Sequence, residues 1–130
     1  MAIQVGGTTV INDTTRSYVG FRESVTTVGT VSTSTYNIDL SLGNIFDVTL
    51  GNNVTFTFTN PPPSGTSGYA TIILRQDTTG SRTATFTNAR YTDAQTPVLT
   101  STGNSVDVLS FFTINGGTIW FGSFVLANVS

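Results

Sequence analysis

Aspartates on strand-like runs are the side chains of this chain with the most obvious potential for chemistry. Asp39, Asp47 and Asp107 each occupy a polar position in a run of mainly alternating apolar and polar residues. Two carboxylates about 5–10 Å apart can carry out glycoside hydrolysis, and carboxylates assisted by backbone carbonyls bind Ca²⁺. Their spacing along the chain indicates neither arrangement. Because exposed strand aspartates most often serve solubility, we predict no catalytic residue and no metal site.

The residue types that the chain lacks exclude most other active sites. Without histidine there is no Ser–His–Asp triad, and without cysteine there is no thiolate nucleophile, disulfide or thiolate metal site. Asn115–Gly117 and Gly80–Ser81 resemble glycine-rich phosphate loops, but no helix is predicted after either one. We therefore interpret both as turns, and we predict a protein that is not an enzyme and needs no cofactor.

Charge is scarce, which limits the classes of partner. Charged residues make up 9% of the chain, compared with about 25% in ordinary soluble domains. A net charge of −2 without a basic run predicts no nucleic-acid partner. No apolar stretch approaches eighteen residues, and Met1–Gln4 has no signal-peptide character, so we expect no membrane partner and synthesis in a cytoplasm. Arg75 could pair bidentately with a carboxylate, within the protein or across an interface.

Aromatic residues offer a further kind of site. Trp120, Tyr36, Tyr69 and Tyr91 could form a platform on which sugars stack. Trp120, however, lies in the most apolar run of the chain. Packing in a core or an interface is therefore the preferred interpretation for it.

The last third of the chain predicts a hairpin that is apolar on both faces. The runs 105–113 and 118–123 flank a turn at Asn115–Gly117. A strand that is apolar on both faces must be covered on both, either by another layer of the fold or by a neighbouring subunit. We therefore predict Phe111, Trp120 and Phe121 in the core or in an oligomer interface.

Alternation with a period of two extends from Tyr36 to the C-terminus and predicts strands throughout. Turn signals such as Gly51–Asn53 and Pro61–Pro63 separate the runs. Eight to ten strands at this spacing predict an all-β fold, an antiparallel β-sandwich or jelly roll with an extended N-terminal arm. The predicted core is Ile38, Leu40, Phe46, Val48, Phe56, Phe58, Ile72, Leu74, Val108, Phe112, Trp120 and Phe124.

Residues 1–32 are predicted to form an N-terminal arm or hairpin, and residues 33–130 the β-sandwich domain. Gly6–Gly7 lies between short apolar runs and could close a tight hairpin. The segment could equally be an extended arm, docked on its own domain or on a partner. The residues predicted to contact a partner are Val5, Val10, Ile11, Arg16, Tyr18, Phe21 and Arg22.

Four ordered motifs resemble a β-domain of tailed-phage virion proteins. They are Tyr36–Asn44, Asn53–Pro62, Leu74–Phe86 and Val106–Gly122. The opening residues 3–11 are similar to segments of phage fibre proteins, especially those of cyanophages.

The resemblance implies a non-enzymatic virion structural protein made in the host cytoplasm. Within that class, a capsid decoration (cement) protein on the outer capsid surface is the favoured interpretation. This interpretation implies a homotrimer that binds and stabilises the major capsid protein, with the arm in contact with neighbouring subunits. The alternatives are a tail, baseplate or fibre component or adaptor and, less favoured, a carbohydrate-binding module.

Overall fold

The computed structural model describes residues 22–129, together with the backbone of two short strands near the N-terminus. These strands, β1 (Ile3–Val5) and β2 (Thr8–Ile11), pair antiparallel. The assignment of the arm to its own domain or to a partner concerns residues that lie mostly outside the described part of the chain.

The described chain is all-β, as predicted. Its remaining strands are β3 (Val25–Val31), β4 (Thr35–Asp39), β5 (Ile45–Leu50), β6 (Val54–Thr59), β7 (Gly68–Gln76), β8 (Ala84–Phe86), β9 (Ala89–Arg90), β10 (Val106–Thr113) and β11 (Trp120–Leu126). Short 3-10 turns occur at Leu40–Leu42 and Thr92–Ala94. Over residues 22–129, no helix is long and apolar enough to cross a bilayer.

Two sheets form a sandwich. One has six strands in the order β3-β5-β7-β10-β11-β9, and the other has three in the order β4-β6-β8. From β3 to β8 the chain changes sheet after every strand, so neighbours such as β3 and β5, or β4 and β6, are parallel. β3, which the sequence analysis assigned to the arm, is an edge strand of the larger sheet.

The predicted antiparallel pairing applies only to part of the sandwich. β7, β10 and β11 are antiparallel neighbours, whereas β5 and β7, β6 and β8, and β9 and β11 are parallel. An alternating pattern shows that one strand face is buried, but it does not show the direction of the neighbouring strand. Turns such as Gly51–Asn53, between β5 and β6, carry the chain from one sheet to the other rather than closing a hairpin.

An apolar core fills the space between the sheets. Phe58 of the smaller sheet packs against Trp120 of the larger one, with ring centroids 4.3 Å apart. Phe86 meets Phe111 across the same space at 4.4 Å. The predicted core is confirmed at Ile38, Phe46, Val48, Phe56, Phe58, Ile72, Leu74 and Trp120.

The predicted phase of β10 was wrong. Leu109 and Phe111 are buried, whereas Phe112 is 43% exposed and Val108 is only partly buried. Because the strand is apolar on both faces, its sequence does not specify which face meets the core. Asp107 belongs to the buried face and is 1% exposed, which corrects its predicted place on the polar face.

Leu40 and Phe124, two further predicted core residues, are partly buried and pack against the margin of the core. Leu40 does not continue strand β4, because Asp39 ends the strand by capping a 3-10 turn. Asp39 Oδ1 accepts hydrogen bonds from the backbone N (2.9 Å) and the side-chain Oγ (2.7 Å) of Ser41. These local hydrogen bonds compete with the backbone hydrogen bonds of the β-sheet. The alternation of inward and outward side chains along β4 therefore ends at Asp39.

Candidate binding surface

The side of the six-stranded sheet that points away from the three-stranded sheet carries exposed aromatic residues. We call this side the outer face. Tyr69 of β7, Phe112 of β10 and Phe121 of β11 lie directly opposite one another in register. Their ring centroids are 6.4 Å and 5.1 Å apart, and they are 58%, 43% and 41% exposed. These three residues form a continuous aromatic row across three strands.

A second, aliphatic row crosses the same strands. Ile73, Val108 and Leu126 are partners in register on β7, β10 and β11. Ile73 and Val108 are partly buried, and Leu126 is exposed. Between the two rows lie the hydroxyl side chains of Thr71, Ser110 and Ser123. The outer face is thus apolar over most of its middle, and large exposed apolar patches mark interaction sites.

The ion pair on the outer face is satisfied within the molecule. Arg75 donates from Nε to Asp47 Oδ1 (2.7 Å) and from Nη2 to Asp47 Oδ2 (3.0 Å). The hydrogen bond to Asp47 raises the pKa of the Arg75 guanidinium. The sequence allowed this bidentate pair either within the protein or across an interface, and it forms within the protein. It leaves the middle of the outer face formally neutral.

Charged side chains lie at both edges of the sheet. Arg90 of β9 is exposed and lies beside Phe121 in register. Glu23 lies just ahead of β3, where its Oε1 accepts a hydrogen bond from Asn44 Nδ2 (3.3 Å). Asn44 directly precedes β5. β9 and β3 are the outermost strands of the sheet, so the aromatic row has Arg90 on one side and the adjacent pair Arg22 and Glu23 on the other.

Parts of both edges of the six-stranded sheet are poor templates for strand addition. The β3 edge has a bulge between Thr27 and Gly29, with Gly29 at a φ of 81°. The opposite edge, β9, has two residues. Bulges and very short strands hinder edge-to-edge pairing, but β9 pairs only with Trp120 and Phe121, so Gly122–Leu126 of β11 form the remainder of that edge.

The residues predicted for the core or an oligomer interface divide between the two faces. Phe111 and Trp120 are both 1% exposed and belong to the core. Phe121 belongs to the outer face. Sequence reasoning placed Phe112 inside and did not single out Ile73, Val108 and Leu126 as a surface. The signal was present in the two-sided apolar pattern of the last hairpin, but that pattern did not say which residues faced out.

The aromatic residues considered for sugar stacking are mostly engaged elsewhere. Trp120 is buried, and Tyr36 packs edge-on against Phe56 at 6.2 Å. Tyr91 packs against Phe111 at 6.2 Å, and burial raises the pKa of its phenol to about 12. Tyr69 is the one member of that set that lies in the aromatic row.

The residues predicted to contact a partner through the arm are mostly outside the described residues. Arg16, Tyr18 and Phe21 are not among them, and only the backbone is described for Val5, Val10 and Ile11. Arg22 is exposed just ahead of β3. The predicted contacts of the arm therefore stay predictions.

The aspartates considered for catalysis or Ca²⁺ binding are each engaged in structural contacts. Asp39 caps a turn, and a hydrogen bond from Asn60 is the main cause of its lowered pKa. Buried Asp107 accepts from Thr100 N (2.7 Å), Thr100 Oγ1 (2.8 Å) and Asn128 N (2.9 Å). In the part of the chain that the structure describes, no three acidic, histidine or cysteine side chains come together as a metal site.

A family model described as a putative phage tail fibre C-terminal domain matches residues 25–118. The matched range begins with β3 and extends beyond β10, so it includes the whole three-stranded sheet and most of the larger one. No curated protein and no solved structure matches the chain.

Proposed function

The chain belongs to the family of putative phage tail fibre C-terminal domains, and on that premise we propose that it is a fibre-type component of a phage tail that works by binding. Membership in the family makes it a phage structural protein. The family description fits the tail or fibre alternative better than the capsid decoration that the sequence analysis favoured.

The observation that supports a binding role most directly is the apolar outer face. Three aromatic side chains lie in one row on the sheet, and each is at least 41% exposed over residues 22–129. Aromatic residues and arginine are enriched in the centres of protein interfaces, and Arg90 lies at the end of this row. Among residues 22–129, the aspartates discussed above do not form a comparable site for acid–base chemistry, because each is engaged in structural contacts.

Immunogold electron microscopy of purified virions tests the location. Antibodies against the chain are expected to label the tail or its fibres. Virions that carry no label would overturn the assignment to the virion, whereas label restricted to the capsid shell would replace the tail assignment with capsid decoration.

Capsid decoration is the second candidate, and it is supported by the same scarcity of charge and the same apolar face. A protein of this kind would join adjacent major capsid subunits through many weak contacts that act together by avidity. Co-sedimentation with empty capsids tests it directly. Saturable binding would support capsid decoration, and protein that stays in the supernatant would exclude it.

A further inference from the structure

We propose that the turn between β10 and β11 carries a self-modification site, at which the backbone nitrogen of Gly116 converts Asn115 to aspartate or isoaspartate. The hydroxyl group of Thr113 and the backbone N–H of Ile119 assist this conversion. The inference goes beyond the proposed function and does not rest on it. Asn115 and Gly116 form an asparagine–glycine pair that the sequence alone indicates only as a turn.

Two donors converge on the side-chain carbonyl oxygen of Asn115. The Thr113 hydroxyl donates to Asn115 Oδ1 at 2.9 Å, and the backbone N–H of Ile119 donates to the same atom at 3.0 Å. When a nucleophile attacks Cγ of this amide, negative charge develops on Oδ1. Donors that are already in place around such an oxygen lower the barrier, as in the oxyanion holes of enzymes.

The Thr113 hydroxyl is held in position by the turn itself. Thr113 is fully buried at the end of β10. Its Oγ1 accepts hydrogen bonds from the backbone N–H of Gly117 (3.2 Å) and of Asn115 (3.4 Å). Because both contacts use the lone pairs of Oγ1, its single proton is directed to Asn115 Oδ1.

Gly116 supplies a nucleophile that is free to react. Its backbone N–H has no hydrogen-bond acceptor within residues 22–129, whereas the N–H of Thr118 in the same turn donates to the Asn115 carbonyl at 3.4 Å. Gly116 has a φ of 68° and no Cβ, so no side chain stands beside the attacking nitrogen. Asn115 and Gly116 are both partly exposed, which gives water access to the site.

The conversion needs only water and hydroxide as co-reactants. Gly116 N loses its proton to hydroxide and forms a bond to Asn115 Cγ. The bond from Cγ to Nδ2 breaks, and Nδ2 takes a proton from water and leaves as ammonia. Water then opens the cyclic imide, at Cγ to give aspartate or at the main-chain carbonyl carbon to give isoaspartate. Either product adds one negative charge to the net charge of −2.

Mass spectrometry of the full chain during incubation at mildly alkaline pH tests the site. The tryptic fragment that follows Arg90 contains Asn104, Asn115 and Asn128, so one fragment compares three asparagines. Asn115 should be converted first in the folded chain. Unfolding in urea removes the two donors, so it should slow the conversion of Asn115 but not that of Asn104 or Asn128. A folded chain that keeps Asn115 intact, or faster conversion of Asn115 after unfolding, would overturn the proposal.

Two variants of Thr113 test the hydroxyl donor. Thr113→Val keeps the shape of the side chain without its donor and should lower the rate at Asn115 in the folded chain by about tenfold. Thr113→Ser keeps the hydroxyl and should retain most of the rate. In urea, the wild type and both variants should convert Asn115 equally fast. Equal rates for the two folded variants would contradict the assistance by Thr113.

Folding of the variants is verified by circular dichroism and by the unfolding midpoint. If Thr113→Val does not fold, the comparison of the folded and unfolded wild-type chain decides the outcome by itself. The location of the protein in the virion does not enter this test, so its result is independent of the proposed function.

Discussion

At the scale of single residues, polar side chains of this protein hold loops in place. Asp77, directly after β7, accepts hydrogen bonds from the backbone of Thr79 and Gly80 through Oδ1 and from Arg82 through Oδ2. Buried Gln76 donates to the Arg82 carbonyl and accepts from the Arg82 N–H, both at 2.9 Å. These contacts fix the connection from β7 to β8, where the chain leaves the larger sheet for the smaller one.

Replacement of Asp77 should alter the acid unfolding of the protein. The hydrogen bond from Arg82 is the main cause of the lowered pKa of Asp77, so the ionised carboxylate stabilises the folded state. This stabilisation is present above the ordinary pKa of 3.8 and is lost as the pH falls through the lower pKa of the folded state. Asp77→Asn should therefore lower the unfolding midpoint at neutral pH and flatten its decline under acid conditions. Parallel curves for the two proteins would contradict this role.

Asp107 should contribute strongly to stability through its buried hydrogen bonds. Asp107→Ala leaves the donors of Thr100 and Asn128 without their acceptor, which should cost roughly 2–4 kcal/mol in the free energy of unfolding. Urea unfolding measures the cost. Hydrogen exchange should show faster exchange at the Asn128 amide, which the Asp107 carboxylate holds. An unchanged exchange rate there would show that the C-terminal segment is held by other contacts.

At the scale of elements, β10 connects the core to the outer face. Its residues alternate between the buried side, with Leu109 and Phe111, and the outer side, with Val108 and Phe112. A shift by one residue would exchange the two sides completely. The full register with β7, from Val106 opposite Arg75 to Thr113 opposite Gly68, sets which side meets the core.

Core and outer-face phenylalanines should therefore respond differently to truncation. Phe56→Ala and Phe58→Ala each empty a buried aromatic position and should cost about 3–5 kcal/mol in the free energy of unfolding. Phe112→Ala should cost less than about 1 kcal/mol in the monomer, since the ring is exposed there. Urea unfolding at low protein concentration, where association contributes least, compares the three variants. Equal costs at all three positions would contradict the assignment of faces.

At the scale of the whole molecule, the chain forms a two-layer stack whose larger layer leaves one side uncovered. Strands β3 to β8 alternate between the layers, and the antiparallel pair β10 and β11 extends the larger layer beyond the smaller one. The inner side of both sheets is filled by a common core. The outer side of the larger sheet is apolar over most of its middle, and no further layer covers it among residues 22–129.

Removal of residues 1–20 should leave the two-sheet domain folded, because both sheets and the core are built from β3 onward. The thermal midpoint is expected to stay close to that of the full chain. If the capsid is the partner, the same deletion should abolish co-sedimentation with capsids, because the predicted capsid contacts lie in the arm. Loss of folding would show that the arm is part of the domain.

The amino-acid pattern alone determined the fold class, the sandwich layers and much of the core. Residues such as Phe46, Val48 and Phe56 alternate with polar neighbours, and a single apolar side leaves little choice about which one is buried. The motifs likewise determined the resemblance to phage virion proteins. The sequence indicated that Arg75 could form a bidentate pair with a carboxylate, but it did not identify Asp47 as that carboxylate.

Only the tertiary structure decided strand direction, the phase of β10 and the place of Asp107. Strand direction depends on which sheet the chain enters after each turn, and the pattern of period two is the same for both directions. The phase of a strand that is apolar on both faces depends on its neighbours, because either face can be buried at similar cost. The outer face could therefore be expected from the last hairpin, but Phe112 and Val108 could be assigned to it only once β7 and β11 were in place beside β10.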